Sequence, residues 1–228
     1  MPEVDCELYK LITVGGKDAV PFLQGQLTQD VSRLTERSGM ICAWCNPKGR
    51  VFAIIRLVQR GESIGLVVPA SLAEQIVQRL IMYRLRSKVT ITGPRDDWTD
   101  LIDARDADPV ALIRAGVPSI DERNTETYTP HMLNLDKLGA ISFNKGCYTG
   151  QEVVARTENL GTSKRRLMRY QASADSLAVG DKLSDGERNV GEVLNVVGRD
   201  LLAVTPVDLH DRELSVRRIA VTPMGLPY

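Results

Sequence analysis

Aromatic side chains are scarce in this chain of 228 residues, 5% of the total, which argues against a protein that reads bases mainly by stacking them. Net charge is missing too. Its 29 Lys and Arg balance 29 Asp and Glu, so the chain as a whole has no pull on polyanions, and only a local basic patch stays open. No apolar run approaches the roughly 18 residues of a membrane span. The first residues, Met-Pro-Glu-Val-Asp-Cys, lack the charged-then-apolar pattern of a secretory signal. The expectation is a cytoplasmic protein with no membrane association and no direct nucleic-acid contact, in a compartment where thiols stay reduced. Cysteine is rare: Cys6, Cys42, Cys45 and Cys147 are core residues, ligands or reactive thiols, with no disulfide framework expected. The two histidines, His131 and His210, stand far apart with no ligand spacing around either.

What is present fits a soluble globular chain, 43% apolar and 25% charged, long enough for one large domain or two modest ones. Residues 8–14 alternate as a strand ending at Gly15-Gly16, and 18–23 form a short helix with Pro21 in its first turn. Residues 51–58 and 64–68 make a hairpin. Ser71 and Glu74 spell a capping box for a helix carrying Leu72, Ile76, Leu80 and Tyr83, which stops near Ser87 before a strand at 88–92. Strand–strand–helix–strand is half of a ferredoxin-like α+β unit. The aspartate-rich stretch 93–109 is a connector with a short strand at 101–103, and 109–114 are helical turns before Gly116. From Arg166 onward short apolar runs (167–171, 190–197, 201–205, 214–221) alternate with turn signals, the pattern of a small antiparallel barrel or sandwich. The boundary falls near 158–166, dividing the chain into 1–160 and 161–228.

Cys42-Ala-Trp-Cys45 invites a metal or redox assignment, but it lies in a strand-to-turn context, where residues three apart point to opposite faces. Structural cysteines are expected there, and no metal site. Lys164-Arg165-Arg166 with Arg169 reads as a solvated basic cluster open to phosphate or polyglutamate. His210 falls in an exposed turn, and Arg79, Arg84 and Arg86 serve solubility.

The chemistry concentrates in Asn144-Lys-Gly-Cys-Tyr-Thr-Gly-Gln-Glu152. Cys147 sits between two glycines that free the backbone for close approach, beside Lys145 and ahead of a helix start at Gln151 and Glu152. Both neighbours favour a thiolate. On physical grounds alone, a buried cysteine in a glycine-rich turn is the commoner outcome.

Lys145–Glu152 resembles the signature of the YgfZ family, relatives of the glycine-cleavage T-protein (aminomethyltransferase). Supporting matches lie at 22–31, 45–51, 83–89, 115–121, 130–136 and 153–157. The resemblance implies a T-protein-like folate-binding domain of α+β class, with a ferredoxin-like half unit plus added strands and helices, followed by a C-terminal antiparallel β-barrel. It further implies a tetrahydrofolate pocket and support of iron–sulfur enzymes or their assembly proteins, with Cys147 as functional thiol and Lys145 beside it. Tyr9, Asn134, Gly146, Tyr148, Gln151, Glu152 and Arg156 are the implied folate contacts, and His131 borders the same pocket. Two departures stand out. The carboxylate that the T-protein places in the segment matching Asn46–Ile55 is replaced by apolar residues, so an accessory protein is expected in place of an enzyme. The stretch after Thr92 is too short for a second ferredoxin-like half, which leaves one channel wall either missing or supplied by a second subunit of a homodimer. Two alternatives stay open, a folate-dependent aminomethyl or one-carbon transferase and an interaction module acting with tRNA-modifying enzymes.

Overall fold

A computed structural model describes residues 7–36, 39–161 and 163–228. Cys6, the N-terminal Met1–Asp5 and Thr162 of the predicted boundary tract lie outside the described residues. Strands β1 (Tyr9–Gly15), β2 (Met40–Cys45), β3 (Val51–Arg60), β4 (Ser63–Pro69) and β5 (Thr90–Arg95) form one antiparallel sheet in the order β2-β3-β4-β1-β5. Val51 to Ile55 of β3 are all buried, as suits a central strand covered on both faces. Helix α1 (Ala19–Gln24) buries Ala19, Phe22 and Leu23, while α2 (Ala73–Arg84) lays Ala73, Ile76 and Leu80 on the core. Arg79 is no mere solubilising residue. Its guanidinium lies 3.6 Å over the Phe52 ring and donates to Glu126 at 2.9 Å.

The predicted capping box does not form. Pro69 leads into a tight 3-10 turn over Ala70–Leu72, so α2 starts at Ala73 and Leu72 caps it without a side-chain bond. Nor is 101–103 a strand; a 3-10 turn occupies Thr99–Leu101. Asp108 does cap α3 (Pro109–Ala115), accepting from the Val110 N–H, and Gly116 ends it at φ 70°. Between β5 and the barrel the described residues hold no second sheet: 117–150 cross the body as irregular backbone and turns to α4 (Gln151–Leu160). Among the described residues no helix is long and apolar enough to cross a membrane.

The C-terminal strands close a barrel. Its members are β6 (Arg165–Ala172), β7 (Lys182–Ser184), β8 (Asn189–Val197), β9 (Asp200–Pro206), β10 (Leu214–Val216) and β11 (Ile219–Met224), in the order β10-β11-β6-β9-β8-β7. Closure settles barrel over sandwich. Tyr170 and Leu201 fill the interior, whereas Leu167, Leu194, Leu202 and Val204 join the core of the body. The predicted run 214–221 is in fact a hairpin turning at Arg217-Arg218.

Candidate functional site

The cysteine loop is built on a turn from elsewhere in the chain. Asn46 folds the Asn46–Arg50 turn by accepting the Lys48 and Arg50 N–H groups on its side-chain oxygen, both at 3.0 Å. Gly150, at φ 83°, presses on that turn: a Cβ there would stand 2.5 Å from the Asn46 carbonyl and 3.1 Å from Gly49 Cα. A Cβ on Gly49 would stand 2.7 Å from Val153 Cβ. These glycines let the Asn46–Arg50 turn pack directly on the start of α4. Gly146 is exposed and meets nothing within 4 Å.

Lys145 is committed to the backbone. Its Nζ donates to the carbonyls of Gln24, Leu27 and Gln29 at 2.8, 2.7 and 2.8 Å, which uses all three ammonium protons. Those carbonyls belong to the end of α1 and the turn beyond it. The Nζ also lies 5.2 Å from the centre of the Tyr148 ring. Burial pushes its pKa down to about 8, partly offset by the Asp30 carboxylate.

Cys147 is exposed, so the commoner outcome of a buried thiol is not what this loop adopts. Cys42 and Cys45 are the reverse case. Both lie buried on β2, and burial pushes the Cys45 thiol up to about 12 and that of Cys42 up as well. Tyr148 is buried, its N–H donating to the Gln151 side-chain oxygen at 3.1 Å, so Gln151 is spent on the start of α4. Glu152 and Arg156 are exposed on α4 and approach each other to 4.0 Å.

A more enclosed cleft lies elsewhere, where the ends of β1 and β4, α3 and the 117–123 segment meet the barrel. It has a volume of about 450 Å³, within the range of small-molecule sites, and Tyr9, Leu112, Ser119, Asp121, Arg123 and Asn195 are among its lining. Tyr9 stacks edge-on against Trp98 at 5.5 Å, and burial raises its pKa. Asn195 exchanges two 2.9 Å bonds with the Ser119 backbone, fixing that wall. Arg123 pairs with Asp121 at the mouth.

Of the sequence-predicted folate contacts, Tyr9 alone lines this cleft, and no residue of 145–152 does. Asn134 is fully buried. Its side chain donates to the Leu167 carbonyl at 3.0 Å and accepts from Arg166 at 3.2 Å, so it joins body to barrel. His131, likewise buried, places Nε2 3.0 Å from Glu158 Oε2. His131, Asp136 and Glu158 converge within 4.8 Å, but Arg166 already grips Asp136 with two 3.0 Å bonds. The basic cluster is a solvated face only in part: Lys164 and Arg165 are exposed, whereas Arg166 and Arg169 are half-buried. Arg165 donates to the carbonyls of Val190 and Val204, and Arg169 pairs with Asp200 at 2.9 Å. His210 is partly buried, and burial lowers its pKa. Ser119, Asp121, Arg123 and Asn195 went unassigned from sequence. The signal lay in Ala-Gly-Val-Pro-Ser-Ile-Asp (115–121), a matching segment with no chemistry of its own.

No family model matches the chain. Among proteins of similar sequence is the tRNA-modifying protein YgfZ of Enterobacter sp. (strain 638), 30% identical, the match covering 86% of this chain and 79% of that protein. The chain belongs to the YgfZ family. The YgfZ protein of Yersinia pestis (strain Pestoides F) is 28% identical, with 96% of this chain and 90% of that one covered. The fold of this YgfZ-family chain is that of the glycine cleavage system aminomethyltransferase T from Bartonella henselae. The TM-score is 0.74 at 17% identity, over 97% of this chain and 84% of the other. In the segment Asn46–Ile55 the YgfZ-family chain presents a turn and the buried apolar start of β3, with no carboxylate.

Proposed function

We propose that this chain is a cytoplasmic accessory protein that binds a tetrahydrofolate in the Tyr9 cleft and supports tRNA-modifying or iron–sulfur enzymes through Cys147. The cleft carries the proposal. It offers an aromatic wall for a pterin, the Asp121 carboxylate and Ser119 for its amide-like edge, and Arg123 for a glutamyl tail. The T-protein fold and relatives named as tRNA-modifying proteins support the same assignment. The body over 1–160 supplies the thiol loop, and the barrel over 161–228 closes the cleft with Val196 and Val197. Cys147 acts as a separate, accessible thiol, and Lys145 holds its loop in place. Aminomethyl transfer is disfavoured, because Ala53 and Ile54 cannot orient or deprotonate an amine.

Titration of purified protein with tetrahydrofolate tests the cleft. Tyr9→Ala is expected to weaken binding roughly tenfold or more, about 1.4 kcal/mol, while Cys147→Ala leaves affinity unchanged. Undiminished binding by Tyr9→Ala would move the folate elsewhere. In cells lacking the endogenous protein, Cys147→Ser should fold and fail to restore function; full rescue removes the thiol from the mechanism.

A further inference from the structure

Where α2 runs out, the chain presents an apolar and basic surface that neither the cleft nor the cysteine loop uses. Ile81 and Met82 are 49% and 60% exposed, and Leu85, just past the helix, is 86% exposed. Leu85 also has φ 43° and ψ −109°, a positive-φ conformation outside the left-handed helical region that a branched aliphatic residue adopts only at a cost. The start of α1 comes alongside. Asp18 accepts the Lys88 N–H at 2.7 Å, and Val20 is 39% exposed. A shallow, open depression of about 730 Å³ lies here, lined by Asp18, Leu85, Arg86 and Ser87. Lys17, Arg84, Arg86 and Lys88 are all exposed at this end of the molecule. None of the four forms a salt bridge among the described residues. Four unpaired cations against one carboxylate give a local positive charge that the neutral whole conceals.

We propose that this surface docks an acidic, amphipathic helical segment of a partner protein. Large aliphatic side chains of the segment enter the depression beside Leu85 and Met82, and its carboxylates face Lys17, Arg84, Arg86 and Lys88. The flexible thioether of Met82 suits a surface that must adapt to a ligand. Three other occupants fit less well. Bases are read chiefly by stacking on aromatic rings, and the ring at this end, Tyr83 at 36% exposed, packs against Trp44 6.1 Å away. A second copy would have to offer the aspartate-rich stretch 96–108. There Asp96, Asp97, Asp103 and Asp106 are already paired with Lys10, Arg60, Arg105 and Arg56. An anionic bilayer would have to accept the Asp18 carboxylate beside Leu85, which opposes it.

The probe is a fluorescent synthetic peptide of about three to four helical turns, with leucines along one face and glutamates on the other. Wild-type protein should raise its anisotropy with a midpoint that moves to higher protein concentration as salt is added. Leu85→Asp should weaken binding at least tenfold, and Met82→Ser should weaken it less. Arg84→Glu combined with Arg86→Glu should weaken it and flatten the salt dependence. All these side chains are exposed, so the near-ultraviolet circular dichroism of each variant should match wild type. Three results overturn the proposal: no binding, binding indifferent to Leu85→Asp, or equal binding of a peptide whose leucines are replaced by serine. A fourth does so as well, if the protein ignores the peptide but sediments with phosphatidylglycerol vesicles and not with phosphatidylcholine ones.

Discussion

Lys145 shows how a charged side chain can organise a loop without touching a substrate. An ammonium half-withdrawn from water loses hydration, and three carbonyls at 2.7 to 2.8 Å replace it. Because burial lowers its pKa from 10.5 to about 8, the unfolded chain keeps a proton that the folded chain has released between those values. Folding stability from this group therefore rises with pH across that window and is flat below about pH 8. Urea unfolding of wild type and Lys145→Met at a series of pH values should show wild type gaining on the variant between about pH 8 and 10.5. A constant difference would mean that the ammonium is not desolvated. Cys147 was legible as a singular thiol because glycines and a lysine crowd around it. What the lysine does there was not legible. Its partners at 24–29 are more than a hundred residues away in sequence.

At the scale of elements, the hairpin between β10 and β11 departs from the chemistry its turn demands. Arg217 and Arg218 sit at φ 49° and 70°, a pair of left-handed residues where Asn-Gly is the favoured choice. Arg217 has a reason to stay, since its guanidinium pairs with Asp181, whose side chain is only 9% exposed. Arg218 forms no such salt bridge among the described residues. Arg218→Gly should accordingly stabilise the protein by roughly 0.5–1 kcal/mol, read as a raised midpoint in thermal unfolding. The same residues explain why 214–221 looks like one strand in sequence: two arginines carry no turn signal. The short β7 was hidden for the opposite reason, since Ser184 begins a Ser-Asp-Gly turn signal and also pairs in the barrel. The Ser71–Glu74 box failed because Pro69 sets the preceding backbone and a 3-10 turn intervenes.

For the molecule as a whole, the joint between body and barrel is the decisive construction. Arg166 on β6 holds Asp136 in a two-point pair and also donates to the His131 carbonyl and the Asn134 side chain. Side-chain exposures of 17% and 15% make this a largely buried pair. Arg166→Ala would leave Asp136 with an uncompensated charge, and a loss of about 3 kcal/mol in urea unfolding is expected. A loss below about 1 kcal/mol would mark the pair as solvent-screened. The sequence by itself determined the α+β class, the all-β C-terminal part, the helix before Gly116 and the motif around Cys147. Those rest on local periodicity, turn chemistry and residue type, which act over a few neighbours. Only the tertiary structure decided that Asn134 is buried in the joint, that Tyr9 and Arg123 share a cleft, and that Cys147 stands apart from it. Such placements depend on which surfaces meet when the apolar faces of sheet and barrel are buried together, and no single segment carries that information.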